Sequence, residues 1–361
     1  MSQESLESAA ADEPEGRLRL SVLETTPVGA TGSGYAAVRQ SVDVAVAADT
    51  VGYHRVWVTE HHASATIASS APAVLVAALA ARTTRIRVGS GGVMLSNHQP
   101  LVVAEQFGTL EALYAGRIDL GVGGAAGAPS TAVYERALGR TSDSAGKYPR
   151  MVDDLVGFLS GTFPPDHAYA ALSLSPRVRA VPVYVLGSSA KGAGLAAERG
   201  LPFVFAHHLG LTAPGPVLDQ YRASFRPAGA RSEPYVILSV VVACASTDSK
   251  ADEIAFTVGL SQVRRRAAAK AGVPYTERLL EAPVTQQERD QVRRFLSSAS
   301  VVTGTGPAAV RRLAALADAT GADELMVVPM DLDGPGRIRT LRLLAQASVS
   351  VMCPAIALEV E

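Results

Sequence analysis

A carboxylate and two imidazoles stand in succession at the end of a short apolar run, V-W-V-T-E-H-H, from Val56 to His62. Histidine titrates near neutral pH and can carry a proton through a reaction, while an adjacent carboxylate can set its tautomer or charge. Glu60, His61 and His62 are therefore the first candidates for acid/base chemistry. Side chains alternate across a strand, so at most one of the two successive histidines is expected in a pocket, with the other bonded outside it. The plainer alternative is that the three residues cap a strand and satisfy loop amides.

A second histidine pair, His207 and His208, ends the run Phe203 to Ala206. Four histidines from two strand ends could face one metal ion, but no carboxylates accompany them at ligand spacing, so no metal site is expected. The two cysteines, Cys244 and Cys353, form neither a metal-ligand spacing nor a disulfide framework. They read as apolar filler in a reducing cytoplasm.

Three glycine-rich segments follow other apolar runs: V-G-S-G-G-V-M-L (Val88 to Leu95), G-V-G-G-A-A-G (Gly121 to Gly127) and L-G-S-S-A-K-G-A (Leu186 to Ala193). Glycine lets a flat ligand approach the backbone closely. Hydroxyls at the amino end of a helix, here Ser188 and Ser189, suit a phosphate. None of these segments spells the spaced dinucleotide fingerprint.

The elements that must position these groups alternate along the chain. Apolar, β-branched runs at Leu18 to Leu23, Arg55 to Val58, Ile86 to Gly89, Ile118 to Val122, Val181 to Leu186, Phe203 to Ala206, Val236 to Val242 and Glu324 to Val328 read as strands. Helical stretches lie between them: Tyr35 to Thr50, Pro72 to Arg82, Leu101 to Leu113, Met151 to Leu159, Ser189 to Glu198, Pro214 to Phe225, Pro307 to Ala319 and Ile338 to Ala347. Eight such units predict an α/β fold, a closed (β/α)8 TIM barrel rather than an open sheet, spanning 17–347. Every candidate group then falls at the carboxyl end of a strand, the edge where such barrels assemble their sites.

From Asp248 to Ser300 the rhythm breaks into charged helical sequence, an insertion before the last βα unit that could cover the barrel mouth. Its arginines, in V-R-R-R-A-A-A-K and Q-Q-E-R-D-Q-V-R-R-F-L, read as a solvated helix face. Residues 1–16 read as a disordered acidic tail without a secretion signal, and 348–361 as a C-terminal segment.

Composition limits the function. The 361 residues are 48% apolar, enough for a large core, and 33 basic against 34 acidic residues leave a net charge of -1 with no basic run for nucleic acid. No apolar run reaches membrane-spanning length. A soluble cytoplasmic enzyme of small molecules is expected.

The segments L-S-V-L-E-T-T-P-V, G-Y-H-R-V-W-V-T-E-H-H, R-I-R-V-G-S-G-G-V-M-L-S-N-H-Q-P-L-V-V-A-E-Q-F-G-T-L, G-R-I-D-L-G-V-G, V-Y-V-L-G-S-S, G-L-P-F-V-F-A-H-H and G-A-D-E-L-M-V-V together resemble the bacterial luciferase-like flavin monooxygenase family. That resemblance implies a barrel, usually dimeric, that binds reduced FMN at its mouth, takes the FMN from a separate reductase, and oxygenates an organic substrate. It implies His61 as the catalytic acid/base, with Glu60 and His62 beside it. Ser90, Gly91, Gly92, Asn97, Gly123, Gly124, Gly187, Ser188 and Ser189 would bind the cofactor, with Gly91 and Gly92 where the family often has a cis peptide under the flavin. His98, Glu105 and Gln106 fall in the same match, His98 as a weaker catalytic candidate.

The chain also departs from the family. Relatives commonly place an arginine for the flavin phosphate where this sequence has Gly124, and a hydroxyl residue near the helix start where it has Gly192. Lys191 could restore the charge, or be simply solvated. The family's aspartate-histidine pair reads here Asp333-Gly334, with Arg337 and Arg339 retained. Two functions follow: a monooxygenase using reduced FMN and O2 on an apolar or polycyclic small metabolite, or a flavin-free barrel homologue. The latter would be either a cofactor-independent acid/base enzyme or a non-catalytic partner subunit.

Overall fold

The computed structural model describes residues 18–29, 33–125, 132–139, 144–172, 174–176, 181–229, 231–271 and 281–352. The acidic N-terminal tail and Cys353 lie outside them.

Nine parallel strands form the sheet: β1 (Leu20–Glu24), β2 (Arg55–Val58), β3 (Arg87–Met94), β4 (Ile118–Gly123), β5 (Val183–Gly187), β6 (Phe203–Phe205), β7 (Val236–Ala245), β8 (Val301–Thr305) and β9 (Glu324–Pro329). β1 through β6 pair in sequence order, β6 pairs with β7, β7 with β9 and β9 with β1, which closes an eight-stranded barrel. Around it run α1 (Gly34–Thr50), α2 (Pro72–Arg82), α3 (Pro100–Leu113), the short α4 (Ala132–Ala137), α5 (Ser144–Ser160), α6 (Ala190–Glu198), α7 (Pro214–Ser224), α8 (Asp248–Ala271), α9 (Gln286–Leu296), α10 (Gly306–Thr320) and α11 (Gly334–Met352). The protein is a (β/α)8 TIM barrel.

All eight expected strands are present. The ninth, β8, is a departure: it pairs Val301–Thr305 with the distal half of β7, Val241–Ala245, beyond the reach of β6, which pairs only with Val236–Leu238. Val301, Val302, Thr303 and Thr305 are β-branched and favour a strand, but the run is short, is interrupted by Gly304 and lies in otherwise helical sequence; the unusual length of β7 supplies its partner. β3 is also longer than expected. Gly91 and Gly92 lie inside it, with a register shift between Gly91 and Val93 against β4, so these glycines are barrel wall and not a following loop.

Alternation of side chains along each strand separates an inner from an outer core, and a third, small cluster of Val241, Ala243, Ala255 and Met330 lies beneath the insertion. Leu23, Trp57, Tyr184, Val204, Ile237 and Met326 fill the barrel interior, while the larger cluster lies between strands and helices. Below the interior layer, Arg55 is buried and paired twice with Glu324 (2.8 and 2.9 Å) and once with Asp119 (2.8 Å), and Tyr184 Oη accepts a further bond from it at 2.9 Å. This polar plug closes the end of the barrel away from the mouth.

The insertion consists of α8 and α9. Thr285 and Glu288 form a capping box at the start of α9, and Glu288 also accepts from Arg264 of α8 at 2.7 and 3.1 Å. Arg264 is thus buried structure. The expectation that the arginines form a solvated helix face fails for it, because the second inserted helix covers the first.

Candidate active site

Thr59, Glu60 and His61 continue β2 out of the barrel, and the ends of β3, β4, β5 and β6 complete a cleft of about 880 Å³ at the mouth. Glu60, His61, Gly91, Gly92, Gly123, Gly124, Gly187, Ser188 and Ser189 all line it. A second chamber of about 450 Å³ lies beneath the insertion and shares Thr59, His61, His208 and Leu209 with the first. His61 and His208, separated by 147 positions in the chain, therefore stand at the junction of the two spaces.

Glu60 is fully buried. Its Oε1 accepts from His62 Nε2 at 2.6 Å and from His98 Nε2 at 2.8 Å, and its Oε2 accepts from the Met94 amide at 3.0 Å. Burial opposes the negative charge, but the bonds from His98, His62 and Met94 outweigh it and hold the carboxyl below its usual range. Glu60 is thus an ionised clamp that ties the β2 end to the β3 end. His62 lines neither chamber and is turned to this clamp. Among the described residues, Glu60, His62 and His98 are the group close enough to hold a metal ion; their ligand atoms already bond one another, and the four-histidine grouping considered from sequence is not assembled.

His61 donates its backbone N–H to Ser69 O at 2.7 Å, and its Nδ1 lies 3.1 Å from Thr59 Oγ1. Burial, then the Arg265 charge, push its pKa below the ordinary value, with Glu60 opposing them, so the ring is neutral at pH 7 and able to accept a proton. His208 is driven further, to about 4, by burial and by the neighbouring His61 and His207. Ser239 uses its one proton on Phe205 O at 3.1 Å, so His208 Nδ1 must be the donor in its 2.6 Å bond to Ser239 Oγ. The remaining ring nitrogen, Nε2, therefore carries a lone pair. By sequence alone His208 is a candidate only as a metal ligand. Its place in the cleft depends on Ser239, which lies on a different strand and carried no local signal.

The floor of the cleft is bare backbone. Gly91–Gly92 is a cis peptide. A Cβ on Gly92 would meet the Gly121 carbonyl oxygen at 2.8 Å, so the two strands approach as closely there as their main chains allow. A Cβ on Gly124 would meet the Tyr148 ring at 3.0 Å, and Tyr148 is anchored by its hydroxyl to Val122 O at 3.1 Å. The space an arginine would need at position 124 is thus occupied by a buried ring. At the opposite pole, Ser189 caps α6 by accepting from the Gly192 amide at 3.3 Å, which leaves its O–H to donate outward. The cations on this wall are Lys191 and Arg199. Arg199 is held by Asp153 at 2.9 Å, whereas among the described residues Lys191 has no carboxylate at ion-pair distance.

Two expected cofactor residues, Ser90 and Asn97, and other residues of the resemblance lie elsewhere. Ser90 is buried between β3 and β4, donating to Gly121 O at 2.8 Å and accepting from Gly121 N at 3.1 Å. It joins strands and does not face the cleft. Asn97 and His98 line a separate cavity of about 700 Å³ outside the barrel wall, because the chain turns through a short 3-10 helix after Met94. Glu105 and Gln106 are exposed on α3. Arg337 is buried against Glu24 at 3.1 Å, and Arg339 lies 3.7 Å from Asp331.

A closed barrel carrying neutral imidazoles and a buried carboxylate over a glycine floor has the architecture of a barrel enzyme. The chain belongs to the luciferase-like monooxygenase family, whose sequence profile matches residues 18–324. It is 39% identical to protein YvbT of Bacillus subtilis (strain 168) over 341 residues, covering 90% of this chain and 95% of that one. The crystal structure of apo-MsnO8 superposes with a TM-score of 0.75 at 36% identity, covering 91% of this chain and 98% of that one. The oxygenating constituent of 3,6-diketocamphane monooxygenase from Pseudomonas putida, solved in complex with FMN, shares the fold at 20% identity with a TM-score of 0.67, covering 93% of this chain and 98% of that one. Among the described residues no helix is long and apolar enough to cross a membrane.

Proposed function

We propose that this protein is a flavin-dependent monooxygenase that uses reduced FMN and O2 to oxidise an apolar small metabolite, with a separate reductase supplying the FMN and two copies forming a dimer in the cytoplasm. The observation that carries this reading is the single continuous cleft in which a glycine floor, a helix amino terminus and a neutral histidine face one another. Gly91, Gly92 and Gly123 offer a surface for a planar ring system. Ser188, Ser189, the first amides of α6 and Lys191 would hold a phosphate. Reduced FMN would supply the electrons that activate oxygen.

The chain's own groups have distinct roles. Neutral His61 accepts or returns a proton at the substrate, while the Glu60 clamp fixes the backbone that carries it. His208 presents a second neutral ring whose tautomer is set by Ser239. The apolar part of the inner chamber, from Val241, Val328 and Met330, would limit water at the reacting groups. The test is a titration of the purified protein with oxidised and anaerobically reduced FMN, followed by calorimetry or fluorescence. Micromolar or tighter binding of the reduced form is expected. Absence of binding to either form would overturn the proposal in favour of a flavin-free barrel.

A further inference from the structure

The inner chamber is apolar along most of its wall, from Val241, Val258, Phe295, Val328 and Met330, yet two guanidinium groups of the insertion also line it. Arg265 and Arg266 follow the buried Arg264 directly in sequence, so the one helix turn expected to be a solvated basic face divides into a structural arginine and two that border the cavity. Arg265 donates to Thr66 Oγ1 at 3.0 Å, and Thr66 lines the same chamber, which sets the orientation of that guanidinium at the wall. The carboxylate in the lining, Asp331, is engaged by Thr340 Oγ1 at 3.1 Å and by Arg339 at 3.7 Å. Charge is thus placed at an apolar space that opens onto His61.

We infer that the inner chamber binds an apolar substrate bearing one anionic group, a carboxylate or a chemically similar monoanion, with that group on Arg265 and Arg266 and the apolar body extending toward His61 and His208. This deepens the proposed function and rests on it for the assignment of the chamber as the substrate side of the site. A guanidinium fork matches the two oxygens of a carboxylate, and the apolar part of the wall matches an apolar body.

The test compares 4-phenylbutyrate with its neutral isostere 4-phenylbutanamide by calorimetry, using the full chain without flavin. The acid is expected to bind about tenfold or more tightly than the amide, and Arg265→Gln and Arg266→Gln are each expected to remove most of that preference while leaving the amide unchanged. Arg266 is exposed, so its variant retains the fold even if loss of the Arg265 bond to Thr66 loosens the other. Equal affinity for acid and amide, no binding of either, or a preference that survives both substitutions overturns the inference. Because no FMN is present, failure here leaves the outcome of the FMN titration untouched.

Discussion

The Nδ1 of His208 lies 2.6 Å from Ser239 Oγ, and the serine proton is already used on the Phe205 carbonyl. The half-buried ring is therefore held as one neutral tautomer, and folding has to exclude a proton from it. In the unfolded chain His208 takes up that proton near pH 6.5, in the folded protein only near 4. Since the unfolded state binds more protons in this window, its contribution to stability is intact above pH 6.5 and is lost as pH falls toward 4, amounting to about 3 kcal/mol. Urea unfolding from pH 7 to pH 4 should show a shallower loss for His208→Asn than for the native chain. Parallel curves would contradict the neutral assignment.

His61 makes a directional case. Arg265 lowers its pKa electrostatically, so Arg265→Gln is expected to raise it. Ring-nitrogen NMR should place the native titration midpoint below 6.5 and the variant's midpoint above the native one. A midpoint that stays in place would remove Arg265 from the electrostatics of the cleft.

Lys191 can be separated from the flavin ring by choice of ligand. Lys191→Gln is expected to weaken binding of reduced FMN about tenfold and to leave reduced riboflavin, which has no phosphate, nearly unchanged. Equal effects on both ligands would place the lysine away from the phosphate. Restoring the relatives' arginine by Gly124→Arg is a poorer experiment than its sequence suggests, since the new side chain must displace the Tyr148 ring.

The plug at the far end of the barrel should be costly to break. Glu324→Ala leaves the Arg55 guanidinium buried with only Asp119 and Tyr184 as partners, and a loss of about 3–5 kcal/mol is expected. Chemical denaturation measures it directly. A loss below about 1 kcal/mol would mean that water reaches the site and compensates.

Much of this was legible in the order of residues. The period of the apolar runs specified eight βα units, and strand β2 falls at Arg55–Val58 as read, because a strand's character and the chemistry at its end are local properties. The same holds for Glu60 and His61, which follow directly. Ser90 turns away from the cleft by the ordinary alternation of β3, in which Gly91 faces Leu23 and Trp57 in the interior, whereas Asn97 is carried outside the wall by the 3-10 turn after the strand, a feature with no periodic signature.

The sequence by itself determined the barrel, the strand ends that carry chemistry and the absence of a positive charge at position 124. Only the tertiary structure decided which partners those groups meet: His208 with Ser239, Gly124 with Tyr148, Arg55 with Glu324, and the inner chamber with Arg265. The physical reason is that periodicity arises from each residue's own burial, whereas charge, tautomer and free space at a site depend on atoms brought together by closure of the sheet. Arg55 and Glu324 meet across 269 positions, and closure of β9 onto β1 is what brings them into contact.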